Sequence, residues 1–104
     1  MEKFVEQSLL YDFYGELLTD HQKEIYEEYI LNNLSLSEIA EERNISRQSV
    51  HDLIKRCTKI LEDYEEKLHL IDKFNEIKQL VNKINLMTEE KEIKEISKNI
   101  LEKL

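Results

Sequence analysis

The sequence predicts an all-α protein: a helical bundle that carries a helix-turn-helix, followed by a C-terminal helical extension. Three observations predict it. Pro is absent and Gly occurs once, so the residues that punctuate strands and tight turns are nearly missing. Apolar residues recur at three- and four-residue spacing along most of the chain. Charged residues make up 37% of the sequence, with both signs interspersed as on solvent-facing helix surfaces. The 104 residues suit one compact domain with an appendage, and a hydrophobic share of 40% suffices for a modest core.

The first helix is expected over residues 2–17. Phe4, Leu9 (or Ser8), Tyr11, Leu17 and Leu18 form its apolar stripe, with Phe13 and Tyr14 between them. Gly15 lies inside it or near its end, where it weakens a helix by about 1 kcal/mol relative to Ala, so either close packing requires it or the helix frays early. The second helix opens at "TDHQ". Thr19 is the N-cap, Gln22 completes a capping box, and Asp20 suits the positive end of the helix dipole. Ile25, Tyr26, Tyr29 and Ile30 supply its buried face, and "NNLS" (32–35) ends it. Most of the aromatic residues Tyr11, Phe13, Tyr14, Tyr26 and Tyr29 are expected in the core.

Ser35 caps a short third helix, with Glu38 completing a second capping box. Leu36, Ile39 and Ala40 are expected to point inward. "RN" (43–44) stops this helix, because Asn tolerates the left-handed backbone of a tight turn. Ile45 is expected to reach back into the core, and Ser46 caps the fourth helix. Val50, Leu53, Ile54, Cys57 and Leu61 continue inside. No stop is visible before about residue 69. Tyr64, Leu68, Ile71 and Phe74, then Ile77, Val81 and Ile84, extend the spacing, with a bend expected near 69–72. "NLMTEE" (85–90) is a clearer break. Thr88 is expected to cap a last helix over 89–103, with Ile93, Ile96, Ile100 and Leu101 on one side. Residues 1–70 therefore read as the helix-turn-helix domain. Residues 71–104 read as an extension that packs back or supplies a homodimer interface.

The helix-turn-helix has mechanical requirements, and residues 35–56 meet them in register. Two closely crossing helices need a small residue, here Ala40. The turn needs tolerance of positive φ four residues later, here Asn44. A hydrophobic residue then locks the turn, here Ile45. The second helix must bury two residues at helical spacing, here Val50 and Leu53. In a DNA reader of this kind Arg47, Gln48, His51 and Asp52 face the bases, and Lys55, Arg56 and Lys59 face the phosphates.

Charge is unevenly distributed. The formal net charge is −8, yet residues 47–60 hold four basic residues against the single acid Asp52. The basic island coincides with the second helix of the motif, which favours an anionic partner there. The acidic remainder opposes tight nonspecific DNA binding, which depends on many phosphate contacts.

No catalytic constellation is visible, and no cofactor is expected. His21, His51 and His69 lie far apart, none with a second ligand at metal spacing, and Cys57 has no partner for a zinc pattern. A lone Gly excludes a glycine-rich phosphate loop. The N-terminus lacks the basic start and apolar run of a signal peptide, and no stretch approaches a membrane span. A cytoplasmic protein without membrane insertion is expected, and one unpaired Cys agrees with a reducing compartment.

The run "FYGELLTDHQKEIYEEYILNNLSLSEIAEERNISRQSVHDLIKRCTKILEDYEEKL" (13–68) resembles the YlxM family, small bacterial helix-turn-helix proteins associated with the signal recognition particle. The resemblance is carried by "DFY" (12–14), "LLT" (17–19), "SLSEIAEE" (35–42), "SRQSV" (46–50), "IKR" (54–56) and "YEEKL" (64–68). It implies a fold similar to region four of bacterial sigma factors, their last DNA-binding domain. Genes of this family typically lie beside those of the particle's GTPase or its receptor. The resemblance thus implies a non-enzymatic accessory role in co-translational protein targeting. The implied partner is the particle's GTPase, its RNA, or both. Two other readings remain open at this point: a DNA-binding transcription regulator, and an adaptor whose helix-turn-helix is only a scaffold. Candidate contact residues are Arg47, Gln48, His51, Lys55, Arg56 and Lys59. They rest on the geometry of the motif, since the resemblance implies no site motif of its own.

Overall fold

The computed structural model describes residues 3–104, so the expected helix start at residue 2 lies outside the described residues. The described residues form six α-helices: α1 (Lys3–Tyr14), α2 (Asp20–Ile30), α3 (Leu36–Arg43), α4 (Arg47–Leu68), α5 (Leu70–Met87) and α6 (Lys91–Lys103). The fold is all-α, with no strand among the described residues. The chain divides into two compact units, one running to Leu68 and the other covering His69–Leu104.

In the first unit α4 is the central helix, and α1, α2 and α3 all pack on it. Its buried side carries Val50, Ile54, Cys57 and Leu61. These residues repeat every three or four positions, which keeps them on one side of a 3.6-residue helix. Leu10, Tyr11, Tyr14, Leu18, Ile25, Tyr26, Ile30, Ile39 and Ala40 complete this core. Each fully buried aliphatic side chain contributes about 1.5–3 kcal/mol. Cys57 is fully buried, and burial pushes its thiol up from the ordinary range.

Aromatic rings dominate the meeting of α1, α2 and α4. Tyr11 stacks on Tyr26 with centroids 5.5 Å apart, and Tyr14 stacks on Tyr64 at 6.0 Å. The hydroxyls are not left dry. Tyr11 donates to Glu27, Tyr14 donates to Glu65, and Tyr26 shares a 2.8 Å hydrogen bond with Thr58. Burial is the first reason that the Tyr26 phenol is pushed up to about 12.

The first helix ends earlier than its apolar stripe suggests. After Tyr14 the chain tightens into a 3₁₀ turn over Gly15–Leu17. At the start of that turn a Cβ on Gly15 would stand 2.7 Å from the Tyr11 ring, so the close approach requires glycine. The tightened turn leaves Leu17 exposed and places Leu18 in the core, so the expectation that Leu17 is apolar filling is corrected. Phe4 is also more exposed than expected, while Leu10, one position beside the expected stripe, is buried.

Both capping boxes form as expected. Thr19 Oγ1 accepts from the Gln22 amide while Gln22 Oε1 accepts from the Thr19 amide. Ser35 and Glu38 make the same reciprocal pair. Their hydrogen bonds hold the Glu38 carboxyl below its usual range, the backbone bond from Ser35 first.

In the second unit α5 and α6 pack on each other as a helical hairpin. The bend expected near 69–72 falls at His69, which takes a left-handed conformation with φ of 55°. Thr88 does not cap α6. Its hydroxyl accepts from the Glu90 amide two residues on, and Glu90 holds the N-cap position without a side-chain bond. The apolar stripe of α6 is shifted from the expectation. Ser97 is buried and Ile93 and Leu101 are half-buried, whereas Ile96 and Ile100 are exposed. On α5 Val81 is buried but Ile77 and Ile84 are exposed. A helix with one neighbour inside its unit needs only a narrow seam, so apolar positions beside the seam stay outside.

Candidate nucleic-acid and partner interface

The motif expected from sequence is present as two helices joined by a backbone-locked turn. Asn44 sits at φ 56° and ψ 44°, the left-handed conformation that ends α3. The Ile45 amide donates 3.0 Å to the Ala40 carbonyl, and the Asn44 amide donates 3.3 Å to the Glu41 carbonyl. This pair of bonds is a Schellman closure. The Ile45 side chain itself is 39% exposed, against the expectation that it reaches the core. Ala40 and Ile39 are buried under α4, with Leu36 half-buried. Ser46 Oγ then accepts from the Ser49 amide at 3.0 Å and starts α4. Val50 is fully buried and Leu53 half-buried.

All six candidate contact residues are exposed on α4. They do not form a single line. Gln48, Lys55 and Lys59 repeat opposite the buried Val50, Cys57 and Leu61. Arg47 and His51 lean to one side of that line and Arg56 to the other. Three of the six are engaged within the helix, His51 at 3.5 Å from Asp52 among them. Gln48 Nε2 donates 2.9 Å to Asp52, and Lys59 pairs with Asp63 at 2.9 Å, which raises the lysine's affinity for its proton. Among the described residues, Arg47, Lys55 and Arg56 make no salt bridge, so their charges are available to an outside anion.

Asp52 is the acid inside this basic surface. Its carboxyl is held below the usual range, first by the hydrogen bond from Gln48 and then by His51, with Arg56 adding attraction. It therefore remains charged and partly offsets its neighbours. Arg43, the other guanidinium of the motif, is committed elsewhere. It forks onto Glu28 with bonds of 2.7 and 3.2 Å and reaches Glu24 at 3.4 Å. This pairing ties the end of α3 to α2.

Two histidines have a carboxylate neighbour that spacing alone did not suggest. His51 stands 3.5 Å from Asp52 and His69 stands 3.4 Å from Asp72. His51 and Asp52 are both exposed, as are His69 and Asp72.

Beside α4 the first unit also holds an open groove of about 750 Å³. Of the candidate residues, His51, Lys55 and Lys59 border it. Lys3, Phe4, Gln7, Tyr29 and Thr58 border it too, and sequence reasoning passed them over. One signal was available for Gln7. It stands three and four residues before Leu10 and Tyr11 on the buried side of α1, an odd place for a polar side chain unless something binds it.

No described helix is long and apolar enough to cross a membrane. The family described as "Putative helix-turn-helix protein, YlxM / p13 like" matches residues 1–101. Curated relatives called UPF0122 protein occur in Bacillus cereus (strain Q1) and Bacillus anthracis (strain A0248). Each is 47% identical to this chain over 103 residues, covering 98% of the chain and 94% of the relative. The same figures hold for a relative from Bacillus thuringiensis subsp. konkukian. The left-handed turn at Asn44, the buried Ala40 and Val50, and this near end-to-end similarity agree: the chain belongs to the YlxM/p13-like helix-turn-helix family.

Proposed function

We propose that this protein is a non-enzymatic accessory protein of the signal recognition particle pathway. It acts by binding, through the exposed face of α4. One observation carries the contact surface. Arg47, Lys55 and Arg56 project from the helix that follows the turn, without salt bridges among the described residues, in a chain of net charge −8. An acidic body repels extended duplex DNA, whereas a short basic face suits a local stretch of RNA phosphate or a mixed-charge protein surface. The family resemblance supplies the ribonucleoprotein as the partner that offers both. Catalysis is no part of this reading, and the family's description as a putative helix-turn-helix protein supports it.

The test is an equilibrium titration of the labelled full chain with the reconstituted particle. It is repeated with the GTPase alone, the RNA alone and random duplex DNA, across salt. Saturable binding to the particle, weakened by joint Arg47→Ala and Arg56→Ala substitution, is the expected result. Absence of particle binding, with duplex DNA held at physiological salt, would overturn the proposal in favour of a transcription regulator. Particle binding indifferent to both substitutions would move the contact off α4.

A further inference from the structure

We infer that the groove beside α4 is a nucleotide site, which takes an unstacked base of a single-stranded segment while the phosphates run along α4. This rests on the reading that α4 meets a nucleic acid, and adds which part of it is recognised.

The groove's charge points to a polyanion. Lys3, Lys55 and Lys59 stand around it, and Glu62 is the one carboxylate among its described lining residues. Lys59 is shared with Asp63, while Lys3 and Lys55 make no salt bridge among the described residues. In so acidic a chain, a wall with this sign is a local exception.

The aromatic residues point to a base. Phe4 meets Tyr29 edge-on, with centroids 6.0 Å apart, and is 39% exposed. An aromatic ring left open in this way, next to cations, is the arrangement that stacks single-stranded bases.

The floor is mixed: beside Leu36 and Ile54 it carries the polar groups of Gln7, Tyr29 and Thr58, which offer a base edge hydrogen-bond partners. Gln7 is 5% exposed, and its amide is held by long bonds: 3.3 Å from Nε2 to Thr58 Oγ1, and 3.4 Å from the Tyr29 hydroxyl to Oε1. Thr58 is itself anchored on Tyr26 at 2.8 Å. Bonds of 3.3–3.4 Å are weak and exchange readily for those to a base edge. The volume, about 750 Å³, lies within the roughly 300–1,000 Å³ of small-ligand sites.

The experiment uses the full chain and four probes: a short single-stranded RNA carrying 2-aminopurine, the matching single-stranded DNA, the corresponding duplexes, and an acidic amphipathic peptide. Binding is read by anisotropy, and stacking by 2-aminopurine quenching. The expected result is quenching on single strands. Phe4→Ala abolishes that quenching and weakens single-strand binding roughly five- to a hundredfold, while leaving duplex binding unchanged. Phe4 is exposed, so this substitution spares the fold. Tyr29→Phe, which removes only a hydroxyl, is expected to alter preference among bases. A preference for the RNA or the DNA strand names the source of the nucleotide.

Failure of this inference is distinguishable from failure of the α4 reading. If Arg47→Ala and Arg56→Ala weaken binding but Phe4→Ala changes neither affinity nor quenching, the groove is not the base site. If no nucleic acid responds to the arginine substitutions, the α4 reading fails first. Saturable binding of the acidic peptide that depends on Phe4, with no quenching on single strands, would overturn the nucleotide site in favour of a peptide groove.

Discussion

Gly15 and Tyr11 form one steric unit. The Tyr11 ring is held by its stack on Tyr26 and its hydrogen bond to Glu27, so it does not swing aside easily. Gly15→Ala is therefore expected to destabilise the protein by about 1–3 kcal/mol, the usual cost of overpacking. Urea denaturation measures it, and an unchanged midpoint would show that the ring yields. Asp52 makes a second prediction. Its carboxyl has a lowered folded value, so the associated stability is fully present above the ordinary carboxylate pKa and is lost as pH falls through the lowered one. Removing the principal cause by Gln48→Ala should move the Asp52 titration upward, as followed by carboxyl NMR. For binding, Asp52→Asn should strengthen anion affinity by roughly two- to fivefold, the scale of one exposed charge pair.

Among the elements, the turn between α3 and α4 carries the clearest test. Asn44 is left-handed, a conformation costing most L-residues roughly 1–2 kcal/mol. Asn44→Gly should be tolerated, and Asn44→Val should lower the thermal midpoint clearly. Ser46→Ala should cost about 1 kcal/mol through the lost cap of α4. These positions were legible in sequence because each rule behind them is local: an αL-tolerant residue, a cap, a small residue at a crossing. Ile45 was misjudged because backbone hydrogen bonds, invisible to periodicity, lock the turn. Leu17 was misjudged because the chain leaves the 3.6-residue period for a 3₁₀ turn at Gly15–Leu17. In α5 and α6 the period was visible but the seam was not, since Ser97 is buried between exposed isoleucines. The outward face of α4 was legible as a list of residues. That Gln48 and Lys59 are bonded to acids of their own helix was not, although the four-residue spacing to Asp52 and Asp63 hinted at it. The groove was hidden because it joins residues from four helices.

At the scale of the molecule, an acidic chain with one basic face should bind with a measurable but modest salt dependence. Each of Arg47, Lys55 and Arg56 that contacts a phosphate should lower the slope of log affinity against log salt by about 1 when replaced by Ala. A slope unchanged by all three substitutions would mean that the face touches no phosphate. The buried thiol described above has a separate consequence. Cys57 lies where α4 meets the rest of its unit, fully buried, with its thiolate disfavoured. An alkylating reagent reaches it only when that core opens. Labelling of native protein should therefore proceed at the rate set by the opening equilibrium, slowing when a ligand binds the closed form. The chain's single sulfhydryl is thus a built-in clock for its breathing, readable by intact mass once an alkylating reagent is added.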